Sequence, residues 1–343
     1  MKKVFAVAVA LMLLGLGIAA SAAITIDTVA VGDAGNAADT RYGGTYGSVG
    51  YNYNIGKYEV TAGQYTAFLN AVAATDTYWL YTPNMDKAVS SWGCNIKRTG
   101  TSGNYSYSVA SDWANRPVNF VSYWDSCRFA NWLGNGQPTG EQNASTTEDG
   151  AYTLNGYNGA LGGNIQRNPG WTGWAVTSED EWYKAAYYKG GNTNAGYWDY
   201  PTQSDTAPSN VGSDGYTDPG NHANYYNGYT IGSPYYRTIV GEFENSASAY
   251  GTFDQGGNVW EWNESIVAQT SENTWHGMRG GAFNHRTVGN DSGDLHASCR
   301  SANYTDSGPI NTGFRVSYVP EPSSIIALLG GLVGFLGIRR RRA

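Results

Sequence analysis

Apolar residues at helical spacing predict three helices in the middle of the chain. The segments are YEVTAGQYTAFLNAVA (58–73), VSYWDSCRFANWLG (121–134) and SEDEWYKAAYYKG (178–190). In the first, Tyr65 and Phe68 begin an i, i+3, i+4, i+7 stripe that continues to Leu69 and Val72. Each segment has a hydroxyl residue suited to an N-cap just before its predicted helix. These capping residues are Thr61, Ser122 and Ser178.

The rest of the chain consists of short apolar pieces broken by Gly, Asn, Asp and Ser. Two long stretches, 135–175 and 190–235, show no sustained period. Strands do not alternate with helices, so a doubly wound parallel sheet is not expected. The pattern predicts one α+β domain with much irregular backbone.

An apolar segment at the N-terminus predicts export. Lys2 and Lys3 precede a charge-free run over 4–19, and the small residues Ala20-Ser21-Ala22 follow it. This order is typical of a signal peptide over 1–22 that signal peptidase removes. A permanent N-terminal membrane helix is the alternative.

A second apolar segment, 323–338, lies near the C-terminus. As a helix it would span about 24 Å, slightly less than a hydrocarbon core of about 30 Å. Positive residues follow it and would stay in the cytoplasm, which predicts a membrane anchor with the rest of the chain outside. They are Arg339, Arg340, Arg341 and Arg342.

The order of features in 319–343 resembles the PEP-CTERM sorting signal of Gram-negative bacteria. Pro320, Glu321 and Pro322 precede the apolar segment and the arginine cluster. The resemblance implies processing by an exosortase and transfer from the inner membrane to the cell surface or extracellular matrix. A plain tail anchor, retained permanently, is the alternative.

Composition limits the classes of partner. Charged residues make up 14% of the chain, the net charge is −7, and 27 Tyr and 12 Trp accompany 46 Gly. The aromatic content favours a folded domain, and the acidic balance gives no basic surface for nucleic acid. Three cysteines allow at most one disulfide and leave a thiol over; they are Cys94, Cys127 and Cys299.

Five segments in order resemble the formylglycine-generating enzyme (sulfatase-modifying factor) family. They are 58–73, RPVNFVSYWDSCRFANWL (116–133), TSEDEWYKAAYY (177–188), YGTFDQGGNVWEWNES (250–265), and MRGGAFN with GFRVSY (278–284 and 313–318). Together they cover most of a predicted domain at 23–318. The resemblance implies a C-type-lectin-like variant of an α+β fold, rich in irregular loops, with bound calcium and a surface cleft for a peptide or another ligand.

The GGNVWEW segment offers oxygen ligands for calcium. Asp254 and Glu261 supply carboxylates, and glycine turns let the carbonyls of Gly257 and Val259 converge. The resemblance selects these four positions for a structural calcium site. Spacing alone favours a Gly-rich turn with solvated acids, which is the alternative.

The resemblance implies two further sites. A second calcium would use Asn224 and the Tyr225 carbonyl. The ligand cleft would include Trp260 and Arg286. The alternative for Trp260 is core packing, which is more common for a tryptophan in an alternating WEW segment.

The resemblance also shows where the catalytic residues belong. Active members bind copper through two cysteines beyond the RGG motif, which fall here at His285 and Asn290, and the family serine falls at Ala282. Formylglycine formation is therefore not expected, and neither copper nor iron is expected. A centre built from His276, His285 and His296 is the alternative. Cys299 is predicted to be structural, in a core strand around SCRSAN.

The favoured function is that of an exported surface or matrix protein that binds a peptide or exopolysaccharide through its cleft without catalysis. The alternative is a metal-dependent oxidoreductase of the same superfamily, acting on a sulfur-containing or peptide substrate. A purely structural matrix protein is a third possibility. The acids Glu179, Asp180 and Glu181 are expected to stabilise a helix N-terminus rather than serve as a glycosidase pair.

Overall fold

The structure, a computed structural model, describes residues 23–162, 165–210, 218–226, 228, 230–285 and 293–321. The predicted signal peptide and the apolar segment 323–338 lie outside these residues, as do Arg286, Asn290, Pro322 and the arginine cluster. No helix within the described ranges is long and apolar enough to cross a membrane.

The three predicted helices are confirmed. They are α1 (Ala62–Val72), α3 (Tyr123–Gly134) and α4 (Glu179–Tyr187). A capping box closes each N-terminus, with Thr61 and Gln64, Ser122 and Asp125, or Ser178 and Glu181. One short helix, α2 (Ser111–Ala114), and a 3-10 turn (Pro83–Met85) complete the helical structure of the described residues. The α4 helix ends before Gly190, because Tyr188 is extended.

One antiparallel sheet joins distant parts of the chain. Its strands are β1 (Thr28–Val31), β2 (Tyr53–Gly56), β10 (Val316–Val319) and β5 (Gly173–Val176), in that order. The last strand, β10, lies between β2 and β5, where Ser317 is opposite both Ile55 and Ala175. The segment just before the sorting motif is therefore a central strand of the domain.

A second sheet carries the GGNVWEW and RGG motifs. It has the order β8 (Ser301–Tyr304), β7 (Thr274–Arg279), β6 (Trp260–Gln269) and β9 (Thr312–Gly313), and β6 and β9 are parallel. A separate hairpin joins β3 (Ile96–Thr99) and β4 (Ser106–Val109). The two sheets with flanking helices are the α+β architecture that the sequence predicts.

Aromatic rings fill the core between α1, α3 and the sheets. Phe129 meets both Phe68 and Phe314 edge to face, with centroids 5.3 Å apart in each pair. Trp262 is fully buried and its indole N–H donates to the Val121 carbonyl at 3.0 Å. Such packing supplies apolar burial without disulfides, and Cys94, Cys127 and Cys299 are all free thiols.

Side-chain amides hold the irregular segments in place. Asn131 on α3 donates to the carbonyls of Thr147 and Tyr152 at 2.9 and 2.8 Å and accepts from the Tyr152 N–H. A buried backbone without a ladder needs such partners, because an unpaired polar group costs free energy. The Asn-rich composition thus explains how long loops remain ordered.

Candidate functional site

The glutamate of the WEW segment is part of a buried ion pair. The Arg315 guanidinium, from the GFR segment, contacts both Glu261 oxygens at 2.5 and 2.6 Å. Both side chains are fully buried, and the Trp182 indole also donates to Glu261 at 2.7 Å. Because a cation already faces both of its oxygens, Glu261 does not fit the predicted role of calcium ligand.

Two other buried carboxylates near the same turn, Asp254 and Glu59, have no guanidinium hydrogen-bonded to them among the described residues. Asp254 accepts from the Gly241 N–H at 2.6 Å, and burial raises its pKa to about 6. Glu59 is almost fully buried, and its Oε1 has no hydrogen-bond partner among the described residues. Burial, followed by the charges of Asp254 and Glu261, raises the pKa of Glu59. A calcium ion at this turn stays a prediction, and Glu59 fits it better than Glu261.

The remaining predicted calcium ligands take part in backbone contacts. The Gly257 N–H donates to the Gly280 carbonyl at 2.8 Å, and Val259 is fully buried. The carbonyl of Asn224 accepts from the Asn258 N–H at 2.7 Å, while that of Tyr225 accepts from the Asn210 amide at 3.1 Å. In the described residues no three acidic, thiol or imidazole side chains are grouped to hold a metal ion.

Of the two described positions that the resemblance assigns to the family's catalytic centre, His285 contacts Trp260. Ala282 is fully buried, whereas the His285 side chain is 37% exposed. The His285 ring meets the edge of Trp260 at 5.5 Å, and its Nδ1 lies 2.8 Å from Asp294 Oδ2. Only 3% of Trp260 is exposed, so its indole does not offer an open stacking surface, and the ligand cleft stays a prediction.

Two residues of this region were not predicted to belong to it. The Cys299 thiol donates to Asp294 Oδ1 at 3.5 Å, so Asp294 contacts both His285 and Cys299. Burial, together with the Asp294 charge, raises the pKa of Cys299 to about 12 and keeps the thiol protonated. The prediction of Cys299 in a core strand was wrong, since it precedes β8 and is only half-buried.

The three histidines do not converge. His276 is buried in the core and stacks on Tyr123 with centroids 3.7 Å apart, and burial lowers its pKa to about 3. His296 instead bonds Ser298 at 2.8 Å and meets the Tyr42 ring edge to face. The predicted alternative of a shared histidine centre was wrong, because each imidazole has its own partners.

The acids at the start of α4 bind arginines or backbone. The Glu179 carboxylate accepts hydrogen bonds from Arg279 of the RGG motif, at 2.8 Å, and from Arg300. Both oxygens of Glu181 accept from the Arg167 guanidinium at 2.9 Å. With both of these carboxylates bound by guanidinium groups, neither is available as a glycosidase acid, which agrees with the structural role predicted for this helix end.

The fold and the arrangement of these motifs define a class. The molecule is a C-type-lectin-like α+β domain of the formylglycine-generating enzyme type, whose family motifs form buried ion pairs. The chain belongs to the family of sulfatase-modifying factor enzyme 1-like domains, whose model matches residues 34–318. A PEP-CTERM protein-sorting motif matches residues 319–342.

Solved structures agree with this fold. The structure described as "Crystal Structure of CarF" is 21% identical, covers 86% of this chain and 98% of its own, and has a TM-score of 0.52. Treponema denticola variable protein 1 is 16% identical, with coverage of 88% and 97% and a TM-score of 0.50. At these identities the likeness shows the fold alone. No curated protein matches the chain.

Proposed function

We propose that this protein is a cell-surface or extracellular-matrix binding protein in which the family's oxidase site is lost. The sorting motif indicates export and exosortase-mediated processing at the membrane. A peptide or an exopolysaccharide is the proposed ligand of the cleft beside Trp260 and His285.

One observation carries the loss of oxidase chemistry. The resemblance assigns the family's first cysteine position to His285, and the thiol that shares Asp294 with it, Cys299, donates to that carboxylate and has a pKa raised by burial. Copper(I) prefers thiolate ligands, and a protonated thiol bound to a carboxylate does not supply one. The second family position, Asn290, has no thiol at all.

The metal content of the mature protein, measured by elemental mass spectrometry after mild dialysis, tests this proposal. We expect one or two calcium ions per chain and neither copper nor iron. Stoichiometric copper or iron would contradict the proposal. Glu59→Gln and the exposed Glu272→Gln provide a matched pair for the calcium, and we expect only the first to lower its occupancy.

A metal-dependent oxidoreductase is the second candidate, and the contact of Asp294 with both His285 and Cys299 favours it. Imidazole, carboxylate and thiolate are metal ligands, but the three side chains are not grouped around one point, so this function requires them to close on the metal and the thiol to lose its proton. Titration with copper(I) at neutral pH tests this function. Copper retained at one per chain by the wild type, and lost in His285→Ala, would support it.

A further inference from the structure

Trp79 is exposed to an unusual degree. Its relative exposure of 74% exceeds that of every other large apolar residue described, including Val89 at 62%. Its backbone φ is 56°, in the left-handed region that bulky residues rarely occupy. An exposed indole on a strained backbone needs support from the surrounding structure.

Asp76 supplies much of that support. Its side chain is buried and accepts from the backbone N–H groups of Leu80 and Tyr81 at 2.8 and 3.3 Å. The Asp76 carbonyl accepts from the Trp79 N–H at 3.2 Å, and Arg98 contacts the carboxylate at 3.3 Å. One acidic side chain therefore fixes both the entry and the exit of the turn.

Two other side chains, those of Gln142 and Asn158, hold the middle of the turn. The Tyr78 N–H donates to the Gln142 side-chain oxygen at 2.9 Å, and the Tyr78 carbonyl accepts from the Asn158 amide at 3.0 Å. Residues 76–81 are thus held before any ligand arrives. A ligand that stacks on Trp79 loses little affinity to ordering of the protein.

A groove of about 670 Å³ adjoins the turn. Hydroxyl, amide and carboxylate side chains line it together with Gly, Ala and Val residues. The polar lining residues are Asn70, Thr75, Thr77, Thr139, Glu141 and Gln142. One flat aromatic face near many hydrogen-bonding groups matches a sugar ring, which has an apolar C–H face and a rim of hydroxyls.

We propose that the turn 76–80 and this groove form a polysaccharide-binding site, in which Trp79 stacks on a sugar ring and the groove side chains bond the adjacent hydroxyls. The site involves different residues from the cleft at Trp260 and His285. The two proposals can therefore fail separately.

Affinity electrophoresis of the mature protein tests the site. The gels contain hydroxyethyl cellulose, galactomannan, dextran or alginate, and each is run with calcium and with EDTA. We expect at least one gel to retard the wild type, and Trp79→Ala to weaken the apparent affinity at least about fivefold to tenfold, or on the order of 1 kcal/mol. Trp79→Phe should retain part of the binding, because it keeps an aromatic face.

One control variant makes the test specific. Tyr304→Ala removes another exposed ring, 43% exposed, and should bind like the wild type. An unchanged melting temperature would show that Trp79→Ala is folded. His285→Ala, which alters the cleft of the proposed function, shows instead which of the two sites holds the polysaccharide. Retardation of the wild type by no gel, or equal retardation of Trp79→Ala, overturns the proposal. Loss in His285→Ala alone would instead place the polysaccharide in the cleft.

Discussion

The arginines of the family motifs and the histidine at a family catalytic position have very different surroundings. Arg279 and Arg315 are fully buried, and each is bound to a buried glutamate. His285 is 37% exposed and shares a half-exposed carboxylate with Cys299. The motifs that show family membership therefore stabilise the fold, and they are compatible with a changed catalytic centre.

The number of segments that each residue connects explains this difference. Arg315 contacts Glu261 on β6 and also the carbonyls of Gly56 and Phe253. Removing it would disturb three parts of the chain at once. The polar contact of His285 is to Asp294 in a neighbouring loop, so substitution there should be a local event.

The largest expected effect is that of Arg315→Met, which would leave Glu261 buried without its counter-charge. We expect a loss of about 3–5 kcal/mol in the free energy of unfolding, measured by chemical denaturation. The control is Lys189→Met, which breaks the ion pair of a 33% exposed lysine with the 54% exposed Asp205 and should cost about 0–1 kcal/mol. Similar losses in the two variants would contradict the distinction between the buried ion pairs and the surface.

The next effect depends on pH. Burial lowers the folded-state pKa of His276 to about 3, so between pH about 6.5 and 3 the unfolded chain binds the proton first. This group therefore contributes a loss of stability as the pH falls, with a slope of up to about 1.4 kcal/mol per pH unit. Asp125 opposes this trend, because burial raises its pKa to about 7.

Comparison of variants isolates the histidine. His276→Gln should have a lower stability at neutral pH but a smaller loss on acidification, measured as the unfolding free energy at pH 7, 6, 5 and 4. His285→Gln should keep the slope of the wild type. An unchanged slope in His276→Gln would mean that the buried imidazole is not responsible for acid sensitivity.

A smaller effect is expected at a helix terminus. Ser178→Ala removes the hydroxyl that accepts from the Glu181 N–H at the start of α4 and should cost about 1 kcal/mol. Ser271→Ala, at an exposed position, should change the free energy of unfolding by less than about 0.5 kcal/mol. Equal thermal midpoints for the two variants would argue against the capping box as a stabilising element.

These examples show which features could be predicted from sequence. The capping box at Ser178 involves residues three apart, so its physical cause lies within the printed segment. The Glu261–Arg315 pair joins residues 54 apart, and no local pattern favours arginine over calcium as the partner of this carboxylate. Its place in the GGNVWEW segment selected Glu261 as a candidate site residue, but the partner of its carboxylate depends on the tertiary fold.

The surroundings of His285 were predicted less completely for a related reason. The resemblance selected His285 and Trp260 separately, and the structure places their rings 5.5 Å apart. Asp294 and Cys299 lie beyond the motifs, and no spacing rule indicated that they return to His285. The sequence analysis did not select Glu59, because an acidic residue just before a helix is common. Its side chain nevertheless accepts from Asn258 of the GGNVWEW segment.

The smallest expected effect concerns the reactivity of the Cys299 thiol. Replacing Asp294 by Asn removes a negative charge that opposes thiolate formation, so the pKa of Cys299 should fall while the stability changes little. Alkylation of the folded protein should then be about threefold to tenfold faster at a fixed pH near 8, which corresponds to roughly one pKa unit or less. Cys94 and Cys127 are fully buried and should not react in the native state.

The direction of that change also distinguishes the two candidate functions. If Asp294→Asn labels faster, the carboxylate holds the thiol in its protonated form, and the cleft is unsuited to copper as it stands. An unchanged rate would mean that burial alone suppresses Cys299. Slower labelling in His285→Ala would contradict both explanations of the unreactive thiol, the Asp294 charge and burial. It would mean that the imidazole activates the thiol, and it would favour the oxidoreductase.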